Sequence, residues 1–262
     1  MNEFEKTGAL LLLSVSLAFQ GLSQEWFHSN DHFDFYRQDD RDYGEYVSAF
    51  SGAYDCYTDL LDLGKNHKIK IIIFSNQRNF IERVFGFYES KVTSVGMALE
   101  REETILITSY HDGNTGRDLD EYRRVARHEL VHVLLPHPKA WLSEGLALFC
   151  AGQVRELEAL PASPEEMGEY LNCNIFNREA YGYYSWFTRF LIQKAGFRQY
   201  VKFYKSDCNW GMVGYSGQDA FCRDAFDALI EASSEDGPLE ETIRFPDSTQ
   251  EIILKDSTDS RR

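Results

Sequence analysis

Apolar residues recur along the first half of this chain in the patterns of short strands and helices. Strands are predicted where apolar residues alternate with polar ones or form a short β-branched run, at residues 32–36, 69–74 and 104–110. Helices are predicted where apolar residues recur every three or four positions, at residues 46–63 and 79–85. Residues 92–99 fit either a strand or a loop. This mixture predicts an α+β fold.

The second half of the chain is predicted to be mainly helical. Helical spacing of apolar residues runs through residues 119–134 and stops before Pro136 and Pro138, because proline ends a helix and restricts the residue before it. A second helix begins near Trp141. Further helices are predicted at residues 181–195, 197–205 and 218–231.

Both ends of the chain differ in composition from the part between them. Residues 8–19 form an apolar run that fits the central region of a secretory signal peptide, with small residues suited to cleavage before Gln24. The six residues before this run carry two acids and one lysine, where positive charge is expected, so an uncleaved anchor or a buried helix stays open. Beyond Ser233 the chain becomes rich in Ser, Glu, Asp and Thr, which indicates a disordered acidic tail.

These patterns predict the organisation of the whole chain. We expect a signal peptide at residues 1–23, a single domain at 24–232 and a disordered tail at 233–262. The domain divides into an α/β half at about 24–112 and a helical half at about 113–232. We expect an exported protein, secreted or in the cell envelope, without a stable membrane span once the signal is cleaved.

Composition and charge restrict the class of protein. A hydrophobic content of 43% over 262 residues is ample for a sizeable core and excludes a disordered chain. The formal net charge of −15 argues against nucleic-acid binding, because a phosphate backbone would be repelled.

Five cysteines occur in the chain, and no two have the C-x-x-C spacing of a zinc ribbon. In an exported protein, Cys208 and Cys222 would be a plausible disulfide at the ends of a glycine-rich loop, although the sequence cannot fix the connectivity. Cys150 follows an apolar stretch and is expected in the core. The positions are Cys56, Cys150, Cys173, Cys208 and Cys222.

The helix at residues 119–134 carries the motif HELVH, residues 128–132. Residues four apart share a helix face, so His128 and His132 can direct two imidazole nitrogens at one point. A turn and a second helix can return the Glu144 carboxylate to the open side of this pair. Three protein ligands plus one water are the usual form of a catalytic zinc site. His137 lies in the proline-flanked turn, off the face of the histidine pair, and is not expected to bind metal.

The motif HELVH followed at short distance by WLSEGLALF resembles the gluzincin metallopeptidases, most closely the peptidase MA-like family. The similarity covers about residues 31–228 and is strongest over 125–150. It implies a zincin-like fold, in which a small mixed sheet packs on the active-site helix and a mainly helical C-terminal half follows. It also implies one zinc ion bound by His128, His132 and Glu144.

The resemblance further implies a function and a mechanism. Zinc-activated water would hydrolyse a peptide or protein substrate, with Glu129 as the general base and Tyr181, or secondarily Tyr184, as a donor to the oxyanion. An edge strand of the sheet, with residues 104–110 as the candidate, would bind the extended substrate. Two alternatives stay open: a catalytically idle zinc-binding or partner-binding domain of the cell envelope, and a zinc hydrolase of a non-peptide acyl bond.

Overall fold

A computed structural model of the protein describes residues 24–64, 68–86, 88, 93–153, 155–172 and 178–234. The predicted signal peptide at residues 1–23 lies outside the described residues, as does the predicted tail from residue 235 onward. Of the helices in the described ranges, none is both long enough and apolar enough to cross a membrane.

The described residues form an α+β structure, as predicted, and it contains one mixed sheet of five strands. The strands are β1 (Glu25–Ser29), β2 (Phe33–Arg37), β3 (Ile69–Phe74), β4 (Gly96–Leu99) and β5 (Thr104–Thr108). The helices are α1 (Gly44–Leu60), α2 (Gln77–Phe85), α3 (Leu119–Leu134), α4 (Ala140–Ala151), α5 (Pro164–Asn172), α6 (Arg178–Ala195), α7 (Phe197–Lys205) and α8 (Gln218–Ser234). Short 3-10 turns lie at Glu100–Glu102, Gly113–Thr115 and Trp210–Val213.

The described residues form two compact units. One is drawn from Met1–Asp55 and Gly64–Leu134, and the other from Cys56–Leu63 and Leu135–Arg262. The sheet and α3 belong to the first unit, and α4 to α8 belong to the second. The expectation of a single domain at residues 24–232 stays a prediction.

The sheet of the first unit has the strand order β1-β2-β3-β5-β4. Strands β2, β3 and β5 are parallel, whereas β1 and β4 pair antiparallel with their neighbours at the two edges. Strand β5 is therefore interior, and all five of its residues are buried. A strand buried on both faces is apolar without alternation.

Each face of this sheet packs against helices. Met97 and Leu99 pack on the α2 side, against the cluster that contains Phe80 and Ile81. On the opposite face, Phe33 of β2 contacts the rings of two α1 residues, Phe50 and Tyr54. Side chains alternate along a strand, so Gly96 lies on the face opposite Met97, and α3 covers that face.

The second unit has an aromatic core built around α4. The ring of Trp141 lies within about 6 Å of the rings of Phe187, Phe203 and Trp210, a range at which aromatic pairs attract one another. All twelve residues of α4 are buried. Ten of the twelve are nonpolar, and a helix of this composition is stable when it is buried on every side.

The cysteine thiols differ from the predicted pairing. Cys208 and Cys222 are both free thiols, so the expected disulfide between them is wrong. Cys208 instead lies 3.2 Å from the Lys139 Nζ atom. Burial raises the pKa of the Cys222 thiol to about 11, so this thiol is protonated at neutral pH. Cys150 is buried in the core, as expected. Cys173 lies outside the described residues.

Candidate metal site

Helix α3 begins at a capping box. The Glu121 backbone N–H donates to the Asp118 side chain at 2.7 Å, and the Asp118 backbone N–H donates to the Glu121 carboxylate at 3.0 Å. This reciprocal pair satisfies two backbone donors that a helix start leaves without helical partners. The helix then continues for 16 residues and carries His128 and His132 in its last two turns.

The connection from α3 to α4 is a short turn held by side-chain contacts. The Lys139 backbone N–H donates to the His137 Nδ1 atom at 3.0 Å, and the His137 ring packs edge-on against Tyr204 at 4.7 Å. The Tyr204 hydroxyl donates to the Leu135 carbonyl at 2.7 Å. His137 therefore has a structural role in this turn.

Helix α4 carries Glu144 in its second turn, next to Gly145. An added Cβ at Gly145 would lie 2.1 Å from the Thr188 Oγ1 atom and 2.8 Å from the Tyr184 carbonyl oxygen. Only glycine lets α4 approach α6 this closely. The packing of Gly145 on α6 therefore fixes the position of the neighbouring Glu144.

His128, His132 and Glu144 form a buried group that could hold a metal ion. One ligand atom from each residue lies within 4.8 Å of the others, and the exposed fractions of the three residues are 9%, 7% and 7%. The Nε2 atoms of the two histidines are 3.1 Å apart. The structure thus brings together the three residues that the sequence indicated.

The donor set fits a divalent cation. Two ligand nitrogens each about 2.0–2.1 Å from a tetrahedral ion lie roughly 3.3 Å apart, close to the observed separation. Imidazole nitrogen suits zinc and other transition metals, and a carboxylate oxygen completes a set of three protein ligands. A cation would also offset the cost of burying the Glu144 charge.

Glu129 lies on α3 beside the two histidines and is partly exposed. Its side chain passes over the Cα atom of Gly96, where an added Cβ would be 2.9 Å from both the Glu129 Cγ and Oε1 atoms. The start of β4 and the Glu129 carboxylate are therefore in close contact. The pattern of residues 92–99 fits either a strand or a loop, so the sequence gives no signal for this contact of Gly96.

The edge strands of the sheet are β1 and β4, and Thr104–Thr108 form the interior strand β5, so the assignment of residues 104–110 as an edge strand is wrong. The Thr108 backbone N–H donates to the Val95 carbonyl at 2.8 Å, which makes Val95 and Thr108 a hydrogen-bonded pair. Hydrogen-bonded and non-hydrogen-bonded pairs alternate in an antiparallel ladder. The main-chain polar groups of Gly96 and Ala98 therefore point away from β5, toward the edge.

The two candidate tyrosines lie on α6 and differ in exposure. Tyr181 is in the first turn and partly exposed, whereas Tyr184 is fully buried. Their ring centroids are 6.2 Å apart. Of the two residues, Tyr181 is therefore the more accessible to solvent.

No protein-family model matches this chain, and the search of curated proteins returns no similar sequence.

Proposed function

We propose that this protein is a zinc-dependent metallopeptidase of the gluzincin type. The observation that carries the proposal is the buried group of His128, His132 and Glu144, with Glu129 on the same helix as the two histidines. Three protein ligands of mixed nitrogen and oxygen type are typical of catalytic zinc sites, whereas structural sites usually have four.

In this proposal, the zinc ion, Glu129 and Tyr181 have separate roles in hydrolysis. A bound zinc ion supplies Lewis-acid polarisation of a carbonyl and a water of lowered pKa. Glu129 accepts a proton from the attacking water and returns it to the leaving amine, as a general base and then a general acid. Its partial exposure suits this role. The Tyr181 hydroxyl donates a hydrogen bond to the developing oxyanion.

We propose that the substrate binds as an extended peptide along β4. The main-chain groups of Gly96 and Ala98 point to the sheet edge, where a peptide can add as a further strand. Gly96 also lies in contact distance of the Glu129 side chain. A peptide paired with this part of β4 would pass close to the general base.

Replacing Glu129 by glutamine tests the mechanism. Glu129→Gln keeps the size of the side chain and leaves the three ligands in place, so zinc binding should be retained. The rate of peptide hydrolysis should fall on the order of 100- to 10,000-fold, the usual contribution of a general base. Asp120→Asn, an acid-to-amide change in the exposed first turn of the same helix, is the matched control.

The same assay separates the alternative functions. Peptide libraries and, in parallel, a set of ester substrates are incubated with the wild-type protein, with and without a chelator, and zinc binding is measured on the same protein. Chelator-sensitive cleavage that is lost in Glu129→Gln supports the peptidase. Zinc binding without cleavage of any peptide would favour a catalytically idle binding domain, and turnover of esters alone would favour a non-peptide acyl hydrolase. Peptide cleavage that survives Glu129→Gln would show that the proposed mechanism is wrong.

A further inference from the structure

Gly96 is the first residue of β4 and is buried against α3. An added Cβ would lie 2.7 Å from the Val125 Cγ1 atom, in addition to its 2.9 Å contacts with Glu129. Contacts below 3 Å require something to move. Two α3 residues one turn apart, Val125 and Glu129, therefore pack directly on a strand position that has no side chain.

The two neighbours would respond differently to a side chain at Gly96. Val125 is β-branched and 7% exposed, so it has one favoured rotamer in a helix and little room to move. The Glu129 side chain is longer and partly exposed, and its carboxylate can rotate away. An added methyl group would therefore turn the Glu129 carboxylate out of its position or push α3 away from β4.

Strand β4 is not free to retreat from α3 at this point. The Val95 carbonyl accepts from the Thr108 N–H at 2.8 Å, and the Gly96 carbonyl accepts from the Ser94 hydroxyl at 2.9 Å. Strand β4 pairs with β5 over its whole length, from Gly96 opposite Ile107 to Leu99 opposite Thr104. These bonds hold the Gly96 backbone in place beside Glu129.

We infer that Gly96 is a positioning residue for Glu129: the absence of a side chain on β4 allows the carboxylate to occupy its catalytic place. This inference rests on the proposed function, in which Glu129 is the general base. It assigns to Gly96 an effect on the chemical step, separate from its main-chain contact with a peptide. Alanine at this position keeps the backbone groups that a bound peptide would use.

Gly96→Ala is the first test, measured on the zinc-loaded protein. The expected result is a fall in kcat on the order of 10- to 100-fold, the size of effect that a misplacement of about 1 Å can have. KM and zinc affinity should change by less than about threefold, because the ligands and the main chain stay in place. Gly52→Ala and Gly113→Ala are matched controls, since an added Cβ at either position meets no atom within 4 Å.

Gly96→Ala is also tested in a Val125→Ala background, which distinguishes misplacement of the Glu129 carboxylate from a general disturbance of packing. Val125→Ala removes the 2.7 Å contact, so Gly96→Ala in that background meets Glu129 but no longer the Val125 side chain. The kcat ratio between Val125→Ala and the double variant should still be about tenfold or more. In a Glu129→Gln background, Gly96→Ala should have no further effect on the residual rate, because interacting residues are not additive.

The outcomes distinguish this inference from the proposed function. If Glu129→Gln abolishes hydrolysis but Gly96→Ala leaves kcat unchanged in both the wild-type and Val125→Ala backgrounds, the inference is wrong and the function stands. The inference is also wrong if Gly96→Ala reduces zinc affinity as much as kcat. If Glu129→Gln remains fully active, the proposed function itself is wrong.

Discussion

Tyr181 and Tyr184 lie three residues apart on α6, and the proposed function assigns the oxyanion contact to Tyr181, the more exposed of the two. Tyr181→Phe removes the hydroxyl of the partly exposed ring and should lower kcat on the order of 100-fold, the usual effect of losing one oxyanion donor. Tyr184→Phe should leave kcat unchanged, because its ring is fully buried. Steady-state kinetics on one peptide substrate compare the two variants. If kcat fell in Tyr184→Phe and stayed unchanged in Tyr181→Phe, Tyr184 would be the oxyanion donor.

At the residue scale, helical spacing was sufficient to place His128 and His132 together. Residues four apart meet on one helix face whatever the rest of the fold, so this part of the site depends only on the helix being formed. The position of Glu144 could not be predicted from spacing, because it depends on the direction of the turn between two helices. Its role as a ligand was implied only by the resemblance of the motif. The contact of Gly96 with Glu129 could not be predicted, because it joins two elements whose pairing is not local.

Helix α4 owes its position to Gly145, and this contact is testable. Gly145→Ala places a methyl group against the Thr188 side chain and the Tyr184 main chain, which should lower the free energy of unfolding by about 1–3 kcal/mol through overpacking. Zinc affinity should fall too, because Glu144 is the adjacent residue. Gly168→Ala is the control, since its Cβ would make ordinary contacts at 3.8 Å. Equal stability of the two variants in denaturant unfolding would contradict the account.

The turn between α3 and α4 should give stability a dependence on pH. Burial lowers the pKa of His137 from its ordinary value of 6.5, and its Nδ1 atom accepts a hydrogen bond only when unprotonated. A group with a lowered folded-state pKa contributes stability above its unfolded pKa, and that stability is lost as pH falls. His137→Asn keeps an acceptor but does not titrate.

Denaturant unfolding measured between about pH 7.5 and pH 5 tests this expectation, because a histidine in the unfolded chain titrates within this range. The wild-type protein should lose more free energy of unfolding over this range than His137→Asn does. Parallel pH profiles for the two proteins would show that His137 is not responsible.

At the element scale, the strongly patterned segments were predicted well and the short ones were not. Strand β3 matches its predicted bounds at both ends, since its apolar run is continuous and buried. Strand β1 and helix α5 were missed. The first has the mixed sequence EWFHS at a sheet edge, and the second buries only Met167 and Leu171, too few apolar residues for a clear period.

At the scale of the whole molecule, the fold class could be predicted from the sequence but the strand order could not. The α+β class follows from local patterns, whereas the order β1-β2-β3-β5-β4 depends on pairing between distant segments. The continuous apolar character of TILIT in β5 was itself a signal of an interior strand, because an edge strand with a solvent face would alternate. Under the proposed function, the strand that would bind the peptide is therefore β4 and not β5.

Zinc titration of the metal-free protein against a chromophoric chelator tests the central claim most directly. The wild-type chain should bind a single zinc ion, and Glu144→Gln, which removes one ligand charge, should bind it on the order of 100-fold more weakly or worse, since even outer partners of ligands contribute 10- to 100-fold. Glu169→Gln, an exposed change on α5, should bind as the wild type does. Failure of the wild type to bind zinc, or unchanged affinity in Glu144→Gln, would contradict the account.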